Sequence, residues 1–304
     1  MSAIDEFAEV GTAGVGLDGA TGEEPDLNGE DLDELDEVEE LDDELDDELD
    51  DDESDGELDD EPEDDQLDPG EADGDEDDVI EIELVVLDMA GTTVLDEGLV
   101  ERAFARAADE AGIGETPEDR ASALDYVRAT MGQSKIEVFR ELAEDEEQAQ
   151  HANAAFESAY SEFVEIEGIA PVPGAEEAIG RLRDAGLKVV LTTGFAKATQ
   201  EKIIAALGWT DLVDGYLAPS DAGRGRPYPD LPLTALLRTG ASSVSSMVVV
   251  GDTASDIESG LAAGAALVVG VLTGAHDEQT LTDAGADVVL PSVALIPELL
   301  GLDD

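Results

Sequence analysis

Four short segments carry side chains whose types and spacing could do chemistry. In Val85-Val86-Leu87-Asp88-Met89-Ala90-Gly91-Thr92-Thr93 an apolar, β-branched run ends on a carboxylate, followed by a glycine and two hydroxyls. An acid at the tip of a buried strand would face an anion cradled by the N–H groups of the turn. An Asp that only closes a strand and opens a turn would look the same locally. Leu191-Thr192-Thr193-Gly194 places hydroxyls at a second strand end, entering a helix. A hydroxyl beside helix N-terminal N–H groups suits phosphate, and it equally suits a simple N-cap. In Gly225-Arg226-Pro227-Tyr228-Pro229-Asp230 a cation sits in a Pro-bounded loop, able to hold a phosphate and a carboxylate together. Val250-Gly251-Asp252-Thr253-Ala254-Ser255-Asp256 sets two carboxylates four apart at a strand end, where oxygen ligands serve a hard cation. Either Asp alone reads as a capping acid.

The elements that must position these groups begin abruptly at Val79. Ile80–Asp88 reads as a buried strand. Residues 97–168 form a helical stretch with Ala- and Glu-rich amphipathic patterning, punctuated by Gly112, Gly114 and Gly132. Beyond Pro171–Gly174 the pattern alternates. Helices are expected at 175–185, Ala196–Leu207 and Asp256–Ala263. Strands are expected at Leu187–Thr192, Gly215–Leu217, Met247–Gly251, Ala266–Val271 and Val288–Leu290. Strands alternating with helices predict an α/β fold, a Rossmann-like parallel sheet covered on both faces. Active sites of such sheets lie at the carboxyl ends of the strands, where all four segments fall.

Charge sets the second constraint. The 304 residues carry a net charge of −66, and residues 1–80 hold 40 of the 80 acidic side chains and no Lys or Arg. The remaining 224 residues carry 40 acidic and 14 basic side chains, a net of −26, with Arg outnumbering Lys 10 to 4. Such a surface repels nucleic acid and anionic membranes. Acidity spread over the whole chain favours adaptation to a salt-rich cytoplasm over a dedicated docking tail for a basic partner. Residues 1–78 read as a disordered acidic tail, too poor in apolar surface to offset ordering entropy. Leu32, Leu35, Val38, Leu41, Leu45 and Leu49 are spaced for a transient amphipathic helix, but carboxylate repulsion favours the solvated coil. Gly14, Gly16 and Gly19 spell GxGxxG with no strand before and no helix after, a chance match. The chain has no Cys, which excludes disulfides and thiolate chemistry. No apolar run reaches the roughly 20 residues of a membrane span, and no basic-then-apolar leader is visible, so cytoplasmic residence is expected.

In order and spacing, the four segments resemble the haloacid dehalogenase superfamily across about residues 80–300. The resemblance implies a core domain from residues 79–96 and 171–304, and an inserted α-helical cap domain over 97–170. It implies Mg²⁺ as cofactor and Asp88 as the nucleophile that forms a covalent intermediate. Thr193 and Arg226 would then hold phosphoryl oxygens, assisted by Gly91, Thr92 and Gly194. The metal would be held by Asp88, Asp252 and the carbonyl of Ala90, with Asp256 as an indirect ligand. Most phosphatases of the superfamily carry a second Asp where this chain has Ala90. Dehalogenases also lack it, but need no metal and no GDxxxD segment. Phosphonoacetaldehyde hydrolases and their phosphonatase-like relatives lack it too. Their DxAGTT loop, their Arg before Pro and their MGxxK are matched by Asp88–Thr93, Arg226-Pro227 and Met131-Gly132-Gln133-Ser134-Lys135.

The lysine has a chemical reason, because carbon–phosphorus cleavage leaves a carbanion and an iminium on Lys135 would accept those electrons. A plain solvated helix lysine is the bland alternative. Two departures stand out. Val138 occupies the position where these enzymes carry a proton-moving His, and Met89 stands where they often have an aromatic. The histidines, His151 and His276, are expected away from the motifs, so the proton shuttle is unassigned. Expected partners are a small-molecule phosphonate or phosphate ester, with no nucleic acid and no membrane. A homodimer is compatible with the family, and the tail's partner is unidentified. The alternatives are a small-molecule phosphomonoesterase, of the phosphoglycolate phosphatase kind, and a non-catalytic binding protein that works through its acidic tail.

Overall fold

The computed structural model describes residues 81–302. The expectations for residues 1–78, including the leucine pattern and the chance glycine motif, lie outside these residues. Among the described residues no helix is long and apolar enough to cross a membrane.

The described residues begin with strand β1 (Leu84–Asp88) and then run through four helices, α1 (Leu99–Ala111), α2 (Pro117–Ala129), α3 (Lys135–Leu142) and α4 (Glu146–Glu167). They continue with α5 (Ala175–Asp184), β2 (Lys188–Thr192), α6 (Lys197–Leu207), β3 (Gly215–Leu217), α7 (Pro219–Ala222) and α8 (Asp230–Thr239). The last part comprises β4 (Met247–Gly251), α9 (Ala254–Ala263), β5 (Leu267–Val271), α10 (Glu278–Asp283), β6 (Val288–Leu290) and α11 (Ile296–Leu299). The six strands form one sheet in the order β3-β2-β1-β4-β5-β6, and every pairing is parallel. The sheet is the expected Rossmann-like α/β core, and its strand order reverses between β1 and β4, where such sheets open a crevice.

The strands read as continuous apolar runs because both faces are covered. All five residues of β1 and all five of β4 are buried. The expected start of β1 at Ile80 shifts to Leu84. Glu81 is exposed, and the Glu83 carboxylate turns aside to accept hydrogen bonds from the Ser242 backbone N–H and hydroxyl. Helix α8 was not foreseen, since Pro229 and Pro232 disguise a helix that starts at the proline-tolerant first turn.

The four inserted helices make a small bundle of their own. In α1, Leu99, Val100, Ala103, Phe104, Ala107 and Ala108 are buried at spacings of three and four, and in α4 Ala149, Ala152, Ala155, Phe156, Ala159 and Tyr160 repeat the pattern. Phe139 of α3 stacks on Phe104 with ring centres 5.0 Å apart and meets Phe156 edge-on at 6.1 Å. Each such fully buried side chain contributes roughly 1.5–3 kcal/mol. This packing fixes α3, whose first residue is Lys135.

Candidate active site

The carboxyl ends of β1, β2 and β4 bring the four sequence segments together. Asp88 ends β1 opposite Thr192, the last residue of β2. Gly91, at φ 91°, lets the chain turn back after Asp88, and a Cβ there would overlap the Asp252 carboxylate. Asp252 follows β4, and Thr253 caps α9, so Asp256 falls in that helix's first turn. The helix therefore starts two residues before the position expected from sequence, because Thr253 and Asp256 form a reciprocal capping box. Asp88, Asp252 and Asp256 are all buried, and each can offer an oxygen within 4.8 Å of the others.

Arg226 is the counter-charge. The loop before α8 carries a cis Arg226–Pro227 peptide and buries the guanidinium, which pairs with Asp88 Oδ1 at 2.6 Å and Asp256 Oδ1 at 2.8 Å. It also donates to the Thr192 hydroxyl at 2.6 Å and to the Gly132 carbonyl at 3.3 Å. Asp252 has polar partners instead. Thr92 donates its hydroxyl to Oδ1 at 3.0 Å, and the Ala275 N–H donates to Oδ2 at 2.8 Å. Burial pushes the Asp88 carboxyl well above the usual range, against the pull of Arg226, with Asp256 and Asp252 adding to the rise. Burial and the nearby Asp256 push Asp252 up to about 7.

A cavity of about 160 Å³ opens onto this cluster, lined by Asp88, Ala90, Gly91, Lys135, Thr193, Arg226 and Asp252 among others. Met131, Gly132 and Gly194 line it as well, whereas the Thr92 side chain faces Asp252 and is not part of the wall. The Thr193 hydroxyl accepts the Phe195 N–H at 3.2 Å. The inserted helices and the sheet meet backbone to backbone here. The Lys135 N–H donates to the Gly194 carbonyl at 3.2 Å, and a Cβ on Gly194 would overlap the Gln133 carbonyl oxygen.

The Lys135 ammonium is buried, 5.8 Å from the centre of the Phe195 ring. Burial holds its pKa below the usual lysine value, with Asp88, Asp96 and Glu157 opposing. It also borders a second cavity, lined by Glu157, Asn153 and Ala196.

One expectation is corrected. His276 does not lie away from the motifs: its Nδ1 accepts the Ala254 N–H at 2.8 Å, and its backbone N–H donates to the Asp252 carbonyl at 3.2 Å. The loop after β5 folds back over the β4 segment, a closure that sequence distance hides. His151 is on exposed α4 surface, 3.8 Å from Glu110. Val138 is buried among apolar neighbours. Sequence reasoning also missed Asp96 and Glu157, whose charges act on Lys135, and Tyr160, which feels the same two carboxylates. Glu157 Oε2 and the Tyr160 hydroxyl are buried without hydrogen-bond partners among the described residues. A carboxylate set between Phe156 and Tyr160 in the apolar stripe of α4 was the available signal for Glu157.

A parallel sheet with an acid-tipped central strand, a basic loop and a GDxxxD strand end defines a hydrolase class. Residues 82–264 match the family model of the haloacid dehalogenase-like hydrolases, and the chain belongs to that family. The chain is similar to the phosphonoacetaldehyde hydrolase of Bacillus cereus strain AH820, with 31% identity over 218 residues, 65% of this chain and 78% of the relative. A phosphonoacetaldehyde hydrolase-like protein from Oleispira antarctica superposes with a TM-score of 0.62 at 26% identity, covering 73% of this chain and 92% of that one. A hydrolase from Pseudomonas syringae shares the fold, with a TM-score of 0.64 at 23% identity, covering 73% of this chain and all of that one.

Proposed function

We propose that this hydrolase cleaves the carbon–phosphorus bond of a small aldehyde phosphonate of the phosphonoacetaldehyde type, using Mg²⁺, a phosphoryl-enzyme on Asp88 and an imine on Lys135. The observation that carries the reading is one buried amine, Lys135, in the same cavity as the buried carboxylate of Asp88, with Ala90 where a second acid would otherwise stand. The relative's name, phosphonoacetaldehyde hydrolase, supports the substrate class.

The donor set fits a hard divalent cation. Three buried carboxylates converge against one guanidinium, and burial first, then their mutual repulsion, drives Asp88 and Asp252 towards the neutral form. Asp88, Asp252 and the Ala90 carbonyl would hold Mg²⁺, with Asp256 as an indirect ligand, and the ion when bound offsets the carboxylate charge and polarises the phosphoryl group. Lys135 condenses with the aldehyde, for which its depressed pKa supplies neutral amine. Arg226, Thr193 and the Gly194 N–H orient the phosphonate oxygens. The Asp88 carboxylate attacks phosphorus, the carbon–phosphorus electrons enter the iminium, and an enamine leaves. Water then releases phosphate from Asp88. The helices over 97–170 act as the cap that shuts water out.

A phosphomonoesterase is the second reading, favoured by the apolar Val138 where a proton-moving His would be needed. The pervasive acidity supports a halophilic, cytoplasmic setting. Orthophosphate release from phosphonoacetaldehyde and a panel of phosphate esters, in molar KCl with Mg²⁺, tests the proposal. Phosphonate turnover abolished by both Asp88→Asn and Lys135→Arg is expected. Ester turnover that survives Lys135→Arg, without phosphonate turnover, would establish the phosphatase instead.

A further inference from the structure

We infer that Asp96 is the acid–base group of the Lys135 imine chemistry, occupying in function the place that Val138 leaves empty. This rests on the imine reading of Lys135. Four acidic residues line the substrate cavity: Asp88, Asp96, Glu101 and Asp252. Asp88 and Asp252 belong to the carboxylate cluster that Arg226 and the metal site engage. Glu101 is held by Arg128 through two hydrogen bonds of 3.0 and 2.9 Å. Asp96 is different. Its Oδ1 accepts the Val100 N–H at 3.2 Å, which anchors the carboxyl at the start of α1, and it forms no ion pair among the described residues.

Asp96 is half-buried and shares the cavity wall with Lys135, and burial raises its pKa, opposed first by the Val100 and Leu99 N–H groups and then by the lysine charge. A carboxyl in that condition keeps its proton closer to neutral pH than a surface aspartate does, as a general acid requires. Glu157 is the rival. It lines the second cavity rather than the first, and its Oε1 is fixed by the Ala196 N–H at 3.0 Å.

The step balances without any further reagent. The Lys135 amine adds to the aldehyde carbon, and one amine proton moves to the oxygen to give the neutral carbinolamine. Asp96 donates its proton to that hydroxyl, the carbon–oxygen bond breaks, water leaves, and the nitrogen pair closes the iminium. After carbon–phosphorus cleavage the enamine carbon takes up a proton, matched by the proton released when water hydrolyses the Asp88 phosphoryl group, and the sequence reverses. Water adds to the product iminium and its proton goes to the Asp96 carboxylate. The carbinolamine hydroxyl proton then returns to nitrogen, freeing the aldehyde and the lysine.

The test is the rate of borohydride trapping of phosphonoacetaldehyde on Lys135, read by mass spectrometry, in the full chain with Mg²⁺ and molar KCl. Asp96→Asn keeps an oxygen to cap α1 but has no proton to give, so trapping should slow about 100-fold with the melting temperature near wild type. Wild-type trapping should be bell-shaped in pH, rising as Lys135 loses its proton and falling as Asp96 loses its own. The Asn variant should lack the falling limb, and Asp96→Glu should regain it. The groups that face Asp96 are Lys135 from α3, Tyr160 from α4 and Glu101 on α1, and none of them is altered by these variants. A wild type and an Asn variant trapped at equal rates would overturn the role of Asp96 alone. If the Asn variant does not fold, a wild-type rate that only rises with pH overturns it instead. A wild type with no label on Lys135 would overturn the imine reading, and this inference with it.

Discussion

Arg226→Met tests how the buried charges hold one another. Methionine keeps much of the apolar stem and deletes the guanidinium. Two ion pairs, at 2.6 and 2.8 Å, and the hydrogen bonds to Thr192 and Gly132 disappear together. Removing one partner of a buried pair costs about 3–5 kcal/mol, because the other charge stays desolvated. Here two carboxylates lose their partner, but Asp88, already pushed towards its neutral form by burial, can take up a proton, which limits the loss to about that same range. For a fold of this size each kcal/mol moves the melting temperature about 2–4 °C, so the drop should be about 6–20 °C. Thermal unfolding near pH 7 in molar KCl with chelator reads the shift, and chemical unfolding reads the free energy. Asp88 already has a folded pKa above its unfolded value. Its contribution is therefore present at low pH and lost as pH rises through the folded pKa, so the variant should recover part of its stability towards pH 5. Mg²⁺ should restore more stability to the variant than to wild type. A loss below about 1 kcal/mol without metal would refute this account of the cluster.

Three further outcomes follow from the same geometry. Asp252→Asn should raise the Mg²⁺ concentration needed for activity. Because the folded pKa of Asp252, about 7, lies above its ordinary value, the metal-free wild type should lose stability relative to the Asn variant as pH rises from about 4 to 7, at about 1.4 kcal/mol per pKa unit; parallel stability curves would contradict it. Gly194→Ala forces a methyl against the Gln133 carbonyl, so the loop before α3 must shift and kcat/KM should fall at least about 10-fold with modest loss of stability, an unchanged kcat/KM ruling out the close approach. With a net charge of −26 over residues 81–304, the melting temperature should climb steeply from low to molar KCl, where the screening length shortens to ~3 Å, and a salt-independent value would speak against halophilic adaptation.

The sheet was legible because parallel strands buried on both faces must be continuous apolar runs, and Met247–Gly251 and Gly215–Leu217 are bounded as the sequence indicates. Asp88, Asp252, Asp256 and Arg226 were legible because each sits at a strand end or rigid turn with a fixed spacing to the others. What was hidden is tertiary. Nothing local marks Asp96 as facing Lys135, since the two meet only when α1 and α4 pack and carry α3 over the sheet. His276 was misplaced for the same reason, because its contact with Ala254 needs the loop after β5 to double back. Thr192, read as one half of a Thr-Thr pair, proved to hold Arg226, while Thr193 lines the cavity. Strand alternation assigns neighbouring residues to different partners, but not which partner each will find.

The central claim is that Lys135 forms an imine with an aldehyde phosphonate in the cavity of Asp88. Borohydride added during turnover of phosphonoacetaldehyde, followed by peptide mass spectrometry, tests it most directly. The account predicts irreversible inactivation with the added mass on Lys135 and none on Lys188, Lys197 or Lys202, because those three ammonium groups lie outside the cavity. Turnover that proceeds with Lys135 unlabelled would contradict it.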